Sequence, residues 1–545
     1  MTACAAVAAA GIAGLFAPAA ARAGETRFSE QAVLAWPAPG KHIRFGRYEA
    51  EPGGFSAKDR LVATYYFYWY DDESGRHFRN PDGSDGQTDH PADTKGYSYR
   101  LASWHRKQLA DMAAAGIDVV LPVFWGCPGN TMAGNAGEHW SYAGLPPLAA
   151  AQEELRAAGG KPPRVGMFYD TSTLQHNAAG HRVDLSTADG RAWFYVTIRD
   201  FFSLIPSKLW ATVDGKPIVF LYSAGFAAGG TADTQLVGYV RSHFAEDFGG
   251  ARPYIVAERS WKIGADSTYA WGGAEGLRVL GVAALGPGYD DHVVPGRTGP
   301  KTDREGGAFY QRNWERLLAM DPGRRPGIVA VETWNEWHEG TDIAESREYG
   351  RRYIDLTRSY AAAWKAGERR KLGGPYADAR EVSITFGPDG KSAGLQLKAG
   401  GDGQAGVTRA GGADCLQTLP NSAGSHKYIY FDVDESFYFD SGIAVEAVVE
   451  YLDEGTGWFG LQYDSADPSA PLAGAYKDAA TVKRTGSGAW KTATFVLADA
   501  RLVNRENLSS DLRLSTPTDL KVRRVAVSKR PSAVEGTPGG ARTTP

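Results

Sequence analysis

The sequence predicts an α/β fold, a (β/α)8 TIM-type barrel, followed by an all-β sandwich. Three observations carry that prediction. Between Leu61 and about Ala366, eight short β-rich runs alternate with helical patterns. Beyond about residue 380 the helical patterns stop, and short runs alternate polar with apolar residues between turn clusters. The 545 residues also exceed the ~250–300 that one hydrophobic core usually serves, so two domains are expected.

Ahead of the barrel, residues 1–23 read MTACAAVAAAGIAGLFAPAAARA, an apolar stretch ending in Ala21-Arg22-Ala23. That is the small-x-small pattern of a signal-peptidase site, with cleavage expected after Ala23, although no positively charged n-region precedes it. The expectation is an exported, secreted or periplasmic protein. An N-terminal membrane anchor fits less well, because Pro18 breaks the apolar run and the run is short for a bilayer. Cys4 would leave with the leader. Cys127 and Cys415 remain, one per domain, so no disulfide framework is expected and Cys127 reads as a small buried hydrophobe.

The barrel domain is read over residues 24–375. Its strand runs are LVATYYFYW (61–69), IDVVLPVFW (117–125), RVGMFYD (164–170), PIVFLYS (217–223), YIVAERSW (254–261), STYAW (267–271), RVLGVAALG (278–286) and GIVAVETW (327–334). Helical patterns lie between several of them. In SWHRKQLADMAAAG (103–116), Leu109 and Met112 recur at helical spacing before a glycine, and FYVTIRDFFSLIPSKLW (194–210) is similar. A doubly wound open sheet is the alternative, and the missing GxGxxG turn after the first run counts against it.

The sandwich is read over 376–530 from EVSITF (381–386), AGLQLKA (393–399), KYIYFDV (427–433), IAVEAVVEYL (443–452), WFGLQYD (458–464), WKTATFVL (490–497), DLRLS (511–515) and LKVRRVAV (520–527). Turn clusters such as DEGTG and RTGSG separate these runs. The last residues, 531–545, form a Pro/Gly/Thr tail expected to be disordered.

Composition narrows the chemistry. With 59 basic and 63 acidic side chains the net charge is −4, and no basic block argues for nucleic acid. The 15 Trp and 26 Tyr exceed what a core needs and suit sugar rings. Histidines are scattered without HxxxH or HxH, and neither a GxSxG elbow nor a P-loop occurs, so zinc, esterase and nucleotide chemistries lose support.

In a barrel the active site is built at the C-terminal ends of the strands. The run assignment places Tyr68, Trp69, Tyr70, Asp71 and Asp72 there, with Trp125, Tyr169, Asp170, Glu258, Arg259 and Trp261. Gly288-Tyr289-Asp290-Asp291-His292 and Thr333-Trp334-Asn335-Glu336-Trp337-His338-Glu339-Gly340-Thr341 follow the last two runs. Flat rings, amides and carboxylates on one rim are what a sugar site needs. A helical turn after the eighth run would put Glu336 and Glu339 on one face. Glycosidic cleavage needs a neutral acid for the leaving oxygen and an anion near the sugar carbon, so two carboxyls in unlike environments fit that chemistry. Trp334 and Trp337 would desolvate one of them and raise its pKa. Asp290 and Asp291 are too few ligands for Ca²⁺. In the sandwich, Trp458, Tyr463 and Trp490 are candidates for a binding face.

The segment from Trp334 to Thr341 resembles the WNEWHEGT-type signature of glycoside hydrolase family 99, the endo-acting α-mannosidases and mannanases. The first run YYFYWY, AGIDVVLPVFWG and the Pro287-Gly288-Tyr289-Asp290 turn also look like that family in kind and order, over roughly residues 60–365. The resemblance implies a (β/α)8 barrel and a retaining glycoside hydrolase acting through two glutamates. It further implies that Glu336 takes the proton of the substrate 2-hydroxyl, which attacks the anomeric carbon to give a 1,2-anhydro sugar. Glu339 then protonates the leaving oxygen and later activates water. No metal or organic cofactor is implied. The stretch WKTATFVLADARLVNRENLSSDLRL resembles carbohydrate-binding sandwich modules. The implied partner is thus a carbohydrate substrate, bound by Tyr68, Trp69, Trp125, Tyr169, Asp170, Glu258, Tyr289, Asp290, Trp334, Asn335, Trp337 and His338.

The second reading is a non-catalytic glycan-binding protein on a glycosidase-like barrel. Glu336 and Glu339 separate the two. Catalysis needs both carboxyls in an open groove, and a glutamate buried against an arginine or turned outward would speak for binding alone.

Overall fold

The computed structural model of the chain describes residues 28–50, 54–126, 128–130, 139–177, 180–299, 301–421, 426–530 and 542–544. Residues 1–23, expected to be a leader, with Cys4, and Cys127, lie outside the described residues. By internal contacts the chain divides into two compact units, Thr2–Trp314 with Pro326–Glu368, and Glu315–Arg325 with Arg369–Pro545.

In the first unit each of the eight β-rich runs contains a strand. They are β1 Leu61–Tyr66, β2 Val119–Phe124, β3 Met167–Tyr169, β4 Lys216–Leu221, β5 Tyr254–Glu258, β6 Ser267–Tyr269, β7 Val282–Leu285 and β8 Ile328–Val331. They pair in parallel in the order β6-β5-β4-β3-β2-β1-β8-β7. Ala63 stands opposite Val119 and Leu61 opposite Ile328, so the first strand of this unit, β1, pairs with both β2 and the last, β8. The sheet is nearly closed. Among the described residues no ladder joins β6 to β7. Every residue of β1 and β2 is buried, as expected of parallel strands covered on both faces.

Six longer α-helices accompany these strands, besides the short ones Glu30–Leu34 and Trp140–Ala143: α1 Ala102–Ala114, α2 Leu145–Ala157, α3 Ala188–Leu204, α4 Leu236–Asp247, α5 Ala308–Ala319 and α6 Arg352–Lys365. Leu109 and Met112 of α1 are buried, as their spacing requires. The regular alternation expected from the sequence breaks between β5 and β7. Residues 259–266 alone join β5 to β6, too few for a helical crossover, and no α-helix lies between β6 and β7. The helix expected over 194–210 begins earlier, where Thr187 Oγ1 accepts the Gly190 N–H at 3.1 Å, and ends at Leu204 before Pro206. It is buried almost all round rather than on one stripe, and it encloses Arg199 and Asp200 as an ion pair at 3.1 Å. Burial pushes the Asp200 carboxyl up to about 7.

The strand ladders of the second unit are antiparallel. Its strands are β9 Glu381–Thr385, β10 Leu395–Lys398, β11 Ala405–Ala410, β12 Ala413–Thr418, β13 Lys427–Val433, β14 Val445–Leu452, β15 Gly457–Tyr463, β16 Lys477–Arg484, β17 Trp490–Leu497, β18 Leu512–Thr516 and β19 Lys521–Lys529. One sheet runs β9-β19-β14-β17, with β12 also on β19 and β11 on β12; the other runs β10-β13-β18-β15-β16. Val382, Val449, Phe495 and Val525 from the first share one core with Phe431, Phe459, Leu461 and Leu514 from the second. The β11–β12 hairpin was not expected. Its turn is Gly411-Gly412, with φ of 54° and 76°, the left-handed pair that a two-residue type I′ turn demands. Within the tail expected to be disordered, Arg542–Thr544 pairs antiparallel with Thr492–Thr494, where the threonines suit an edge strand. Cys415 is free and buried. Among the described residues no helix is long and apolar enough to cross a membrane.

Candidate active site

The segment after β8 supplies the two glutamates and also its own fastenings. Trp337–Glu339 forms a 3-10 turn, so the chain does turn helically there. Glu336 caps that turn, its Oε1 accepting the His338 N–H at 3.1 Å, while the Glu336 N–H donates to Thr333 Oγ1 at 2.9 Å. Irregular backbone leaves polar groups to be satisfied by side chains. Asn335 meets that need on β1's extension: its Oδ1 accepts the Phe67 N–H at 2.9 Å, and its Nδ2 donates to the Phe67 carbonyl at 2.7 Å. Trp334 Nε1 donates to Gln108 Oε1 of α1 at 2.8 Å, and Trp337 Nε1 donates to the Tyr97 hydroxyl at 3.0 Å. All three side chains are fully buried. They were expected to line the sugar site; instead they tie the loop down, because two indoles and an amide carry the donors that the loop needs.

Glu336 and Glu339 are both buried, at 3% and 9% exposure. Glu336 Oε1 lies 2.6 Å from His338 Nδ1, and its Oε2 has no hydrogen-bond partner. The His338 ring stacks on Tyr70 at 5.8 Å and 15°. Its carboxylate partner assigns the proton to Nδ1. Glu339 Oε1 accepts from Arg297 Nη1 at 3.0 Å, and the same nitrogen lies 3.3 Å from Asp291 Oδ2. This is the arginine contact that the sequence reading named as adverse to catalysis. The guanidinium is shared, however, and burial followed by the charge of Glu336 outweighs it. The Glu339 carboxyl is pushed up to about 7.

The other expected residues separate into two groups. Trp69 stacks flat on His77 at 4.5 Å and 10°, and meets Trp125 edge-on at 5.8 Å. Trp125 Nε1 donates to Asp170 Oδ2 at 2.6 Å, and burial raises the pKa of Asp170. Glu258 Oε2 accepts the Ser260 N–H at 2.8 Å, whereas Arg259 reaches only 3.9 Å from Oε1. Tyr289 donates its hydroxyl to Asp291 Oδ2 at 2.8 Å. Asp290 turns away: Lys301 Nζ at 2.6 Å and His292 Nδ1 at 2.8 Å hold its carboxylate, and hydrogen bonds from both keep its pKa low despite partial burial. The sequence singled out the wrong member of the Asp290–Asp291 pair. Tyr68 and Tyr169 also lie away from the glutamates. Tyr68 is fully buried with its hydroxyl donating to the Ser141 carbonyl at 2.7 Å, and Tyr169 packs against Phe194 of α3 at 5.1 Å. Successive side chains of a strand face opposite ways, so half of such an aromatic run must pack on helices.

Five further residues join the site. His77 covers Trp69, and burial lowers its pKa well below the usual range, with His338 adding to the effect. Arg297 and Asp291 flank Glu339. Tyr222, one residue past β4, is nearly buried, and burial together with Asp170, Glu339, Glu332 and Glu258 raises its pKa. Trp271, two residues past β6, is half-buried and stacks on Phe168 at 5.7 Å. Tyr222 and Trp271 obey the strand-end rule applied to the other residues and were legible; His77 and Arg297 come from long loops without a sequence signal.

The site sets aromatic rings and hydrogen-bonding groups near one carboxyl that is ionisable near neutrality and another with an unpartnered oxygen. Among the described residues no group of three or more His, Cys, Asp or Glu is placed to hold a metal ion. In the second unit, Tyr463 is a core residue, Trp490 Nε1 donates to the Gly411 carbonyl at 2.9 Å, and Trp458 stands 37% exposed.

A family model described as "Domain of unknown function (DUF5010)" matches residues 53–371. Among curated proteins, the zebrafish (Danio rerio) glycoprotein endo-alpha-1,2-mannosidase-like protein is 32% identical over 81 residues, 14% of this chain and 17% of that one. The human (Homo sapiens) protein of the same description is 33% identical over 66 residues, 12% of this chain and 14% of that one. The chain thus spans less than a fifth of the length of these relatives. Among solved structures, the GH99 endo-alpha-mannosidase from Bacteroides thetaiotaomicron is 15% identical, with 57% of this chain and 99% of that chain covered at a TM-score of 0.40. A structure described as a glycoside hydrolase-like protein covers 61% of this chain and 99% of its own, at 15% identity and a TM-score of 0.41.

Proposed function

The chain belongs to the family described as Domain of unknown function (DUF5010), and since that description assigns no activity, we propose from the site itself that the protein is an exported glycoside hydrolase. Its substrate is an oligo- or polysaccharide, with α-mannan-type chains the first class to test. The observation that carries this reading is the pair on one 3-10 turn at the end of β8. Glu336 is buried with Oε2 free, and Glu339 is buried and raised to about 7.

On this reading the parallel sheet is a (β/α)8 barrel and forms the catalytic domain over 24–375, with a carbohydrate-binding sandwich over 376–530. Glu336 Oε2 takes the proton of the substrate 2-hydroxyl as that oxygen bonds to the anomeric carbon. The bond from that carbon to the leaving oxygen breaks, and Glu339 gives the leaving oxygen its proton. The 1,2-anhydro sugar is then opened by water, which passes a proton to Glu339 while the 2-oxygen recovers its own from Glu336. Configuration is retained by two inversions. His338 holds Glu336 in place, and Trp69, Trp125, Asp170, Glu258 and Tyr289 bind the sugar.

The Arg297 contact favours a second reading, a glycan-binding barrel without turnover, because a guanidinium at 3.0 Å stabilises the ionised Glu339. Product release from a panel of α- and β-linked oligosaccharides and polysaccharides, with wild type beside Glu339→Gln, decides between them. Release by wild type alone supports the hydrolase. Binding by both forms without release supports the second reading, and neither binding nor release across the panel removes carbohydrate as the ligand class.

A further inference from the structure

We propose that Trp271 is the stacking platform for a pyranose ring of the substrate and that Glu332 is the positioning residue that holds it at the mouth of the barrel. The inference rests on the glycan reading above and names a contact within it.

Trp271 follows β6 directly and remains half-buried, while the rings that support it are buried. It stacks on Phe168 at 5.7 Å and 26°, leans on Tyr65 at 5.0 Å, and meets Tyr222 edge-on at 5.2 Å. Three rings thus fix the indole, while part of it stays solvent-accessible. Tyr222 follows β4 as Trp271 follows β6, so the two rings meet at the strand ends where Asp170, Glu258 and the segment carrying Glu336 and Glu339 also follow their strands. A pyranose offers C–H faces to such a ring and hydroxyl edges to carboxyls, and an indole so placed supplies a large apolar contact at low conformational cost.

The loop that carries Trp271 is held from across the barrel. Glu332, at 1% exposure, directs Oε2 to the Gly272 N–H at 3.0 Å and to the Ala274 N–H at 3.3 Å. The loop has no slack: a Cβ on Gly273 would stand 2.5 Å from the Leu285 backbone nitrogen. In the two-glutamate chemistry proposed above Glu332 has no step. Its Oε2 serves the two amides that flank Gly273.

The test uses the full chain carrying Glu339→Gln, so that substrate is bound without turnover, and mannan-derived oligosaccharides followed by the α- and β-linked panel. Titration calorimetry compares it with the same chain carrying Trp271→Ala, Trp271→Phe, Glu332→Ala or Glu332→Gln. Trp271→Ala should weaken binding about tenfold and Trp271→Phe less. Glu332→Ala should follow Trp271→Ala, and Glu332→Gln should restore binding, because an amide oxygen still accepts both N–H groups. In the active background Trp271→Ala, Trp271→Phe and Glu332→Ala should raise KM and leave kcat nearly unchanged, the mark of a contact equal in ground and transition states, while Glu332→Gln keeps the wild-type KM. If Trp271→Ala does not fold, Trp271→Phe, which keeps a ring against Phe168, carries the comparison. Unchanged affinity in the Trp271 variants while the parent binds would overturn this proposal and leave the hydrolase reading standing. A parent that binds no glycan of the panel would remove both.

Discussion

His338 Nδ1 stands 2.6 Å from Glu336 Oε1, and the same carboxylate oxygen accepts the His338 backbone N–H at 3.1 Å. One residue therefore grips one oxygen twice and leaves the other, Oε2, without a partner. A carboxylate held in this way has a single unpartnered oxygen with a fixed direction.

Replacing His338 by alanine should remove the side-chain half of that grip. A hydrogen bond to a charged group is worth roughly 1.5–3 kcal/mol, so kcat should fall about ten- to hundredfold while the fold persists. Steady-state kinetics with circular dichroism checks both parts. Full activity in the variant would show that the imidazole does not orient Glu336.

Arg297 opposes the burial that raises the Glu339 pKa, so it sets where the acid loses its proton. Glu339 must be protonated to donate, and kcat/KM should therefore decline as pH rises through about 7. Removing the cation in Arg297→Gln favours the neutral carboxyl, which moves this alkaline limb to higher pH. A limb that stays in place would detach it from Glu339.

Glu332 is pushed up to about 8 by burial, against an ordinary value of 4.5. Below 4.5 the carboxyl is protonated in both folded and unfolded chains, and pH has no leverage through it. Between 4.5 and 8 the folded chain binds more proton, so stability declines as pH rises. Glu332→Gln cannot titrate. Its melting temperature relative to wild type should be higher at pH 8 than at pH 5, which thermal unfolding at the two values will show.

Asn335→Ala should damage the fold more than the chemistry. It strands the Phe67 N–H and carbonyl, both buried, at about 1–3 kcal/mol each. A fall in Tm of several degrees is expected. An unchanged Tm would mean that water replaces the amide.

The sequence carried the strands well, because parallel strands buried on both faces read as unbroken apolar runs. It failed at β5 to β7, where runs of similar texture lie too close together to leave room for helices. The hairpin turn at Gly411-Gly412 was legible and passed over. At the site, Glu336, Glu339 and His338 follow from a single segment. Trp334, Asn335 and Trp337 share that segment, and what distinguishes them is the direction of their polar atoms, fixed by partners such as Gln108 and Tyr97 far away in the chain. Arg297 is invisible for the opposite reason: it approaches Glu339 from a loop with no pattern of its own.

The missing ladder between β6 and β7 gives the barrel a seam. Glu332 reaches past β7 and clasps the loop after β6, so one carboxylate bridges what backbone pairing leaves open. Opening such a clasp costs two hydrogen bonds rather than a row of them. Amide protons along this seam should exchange with solvent ahead of those in β1 and β2.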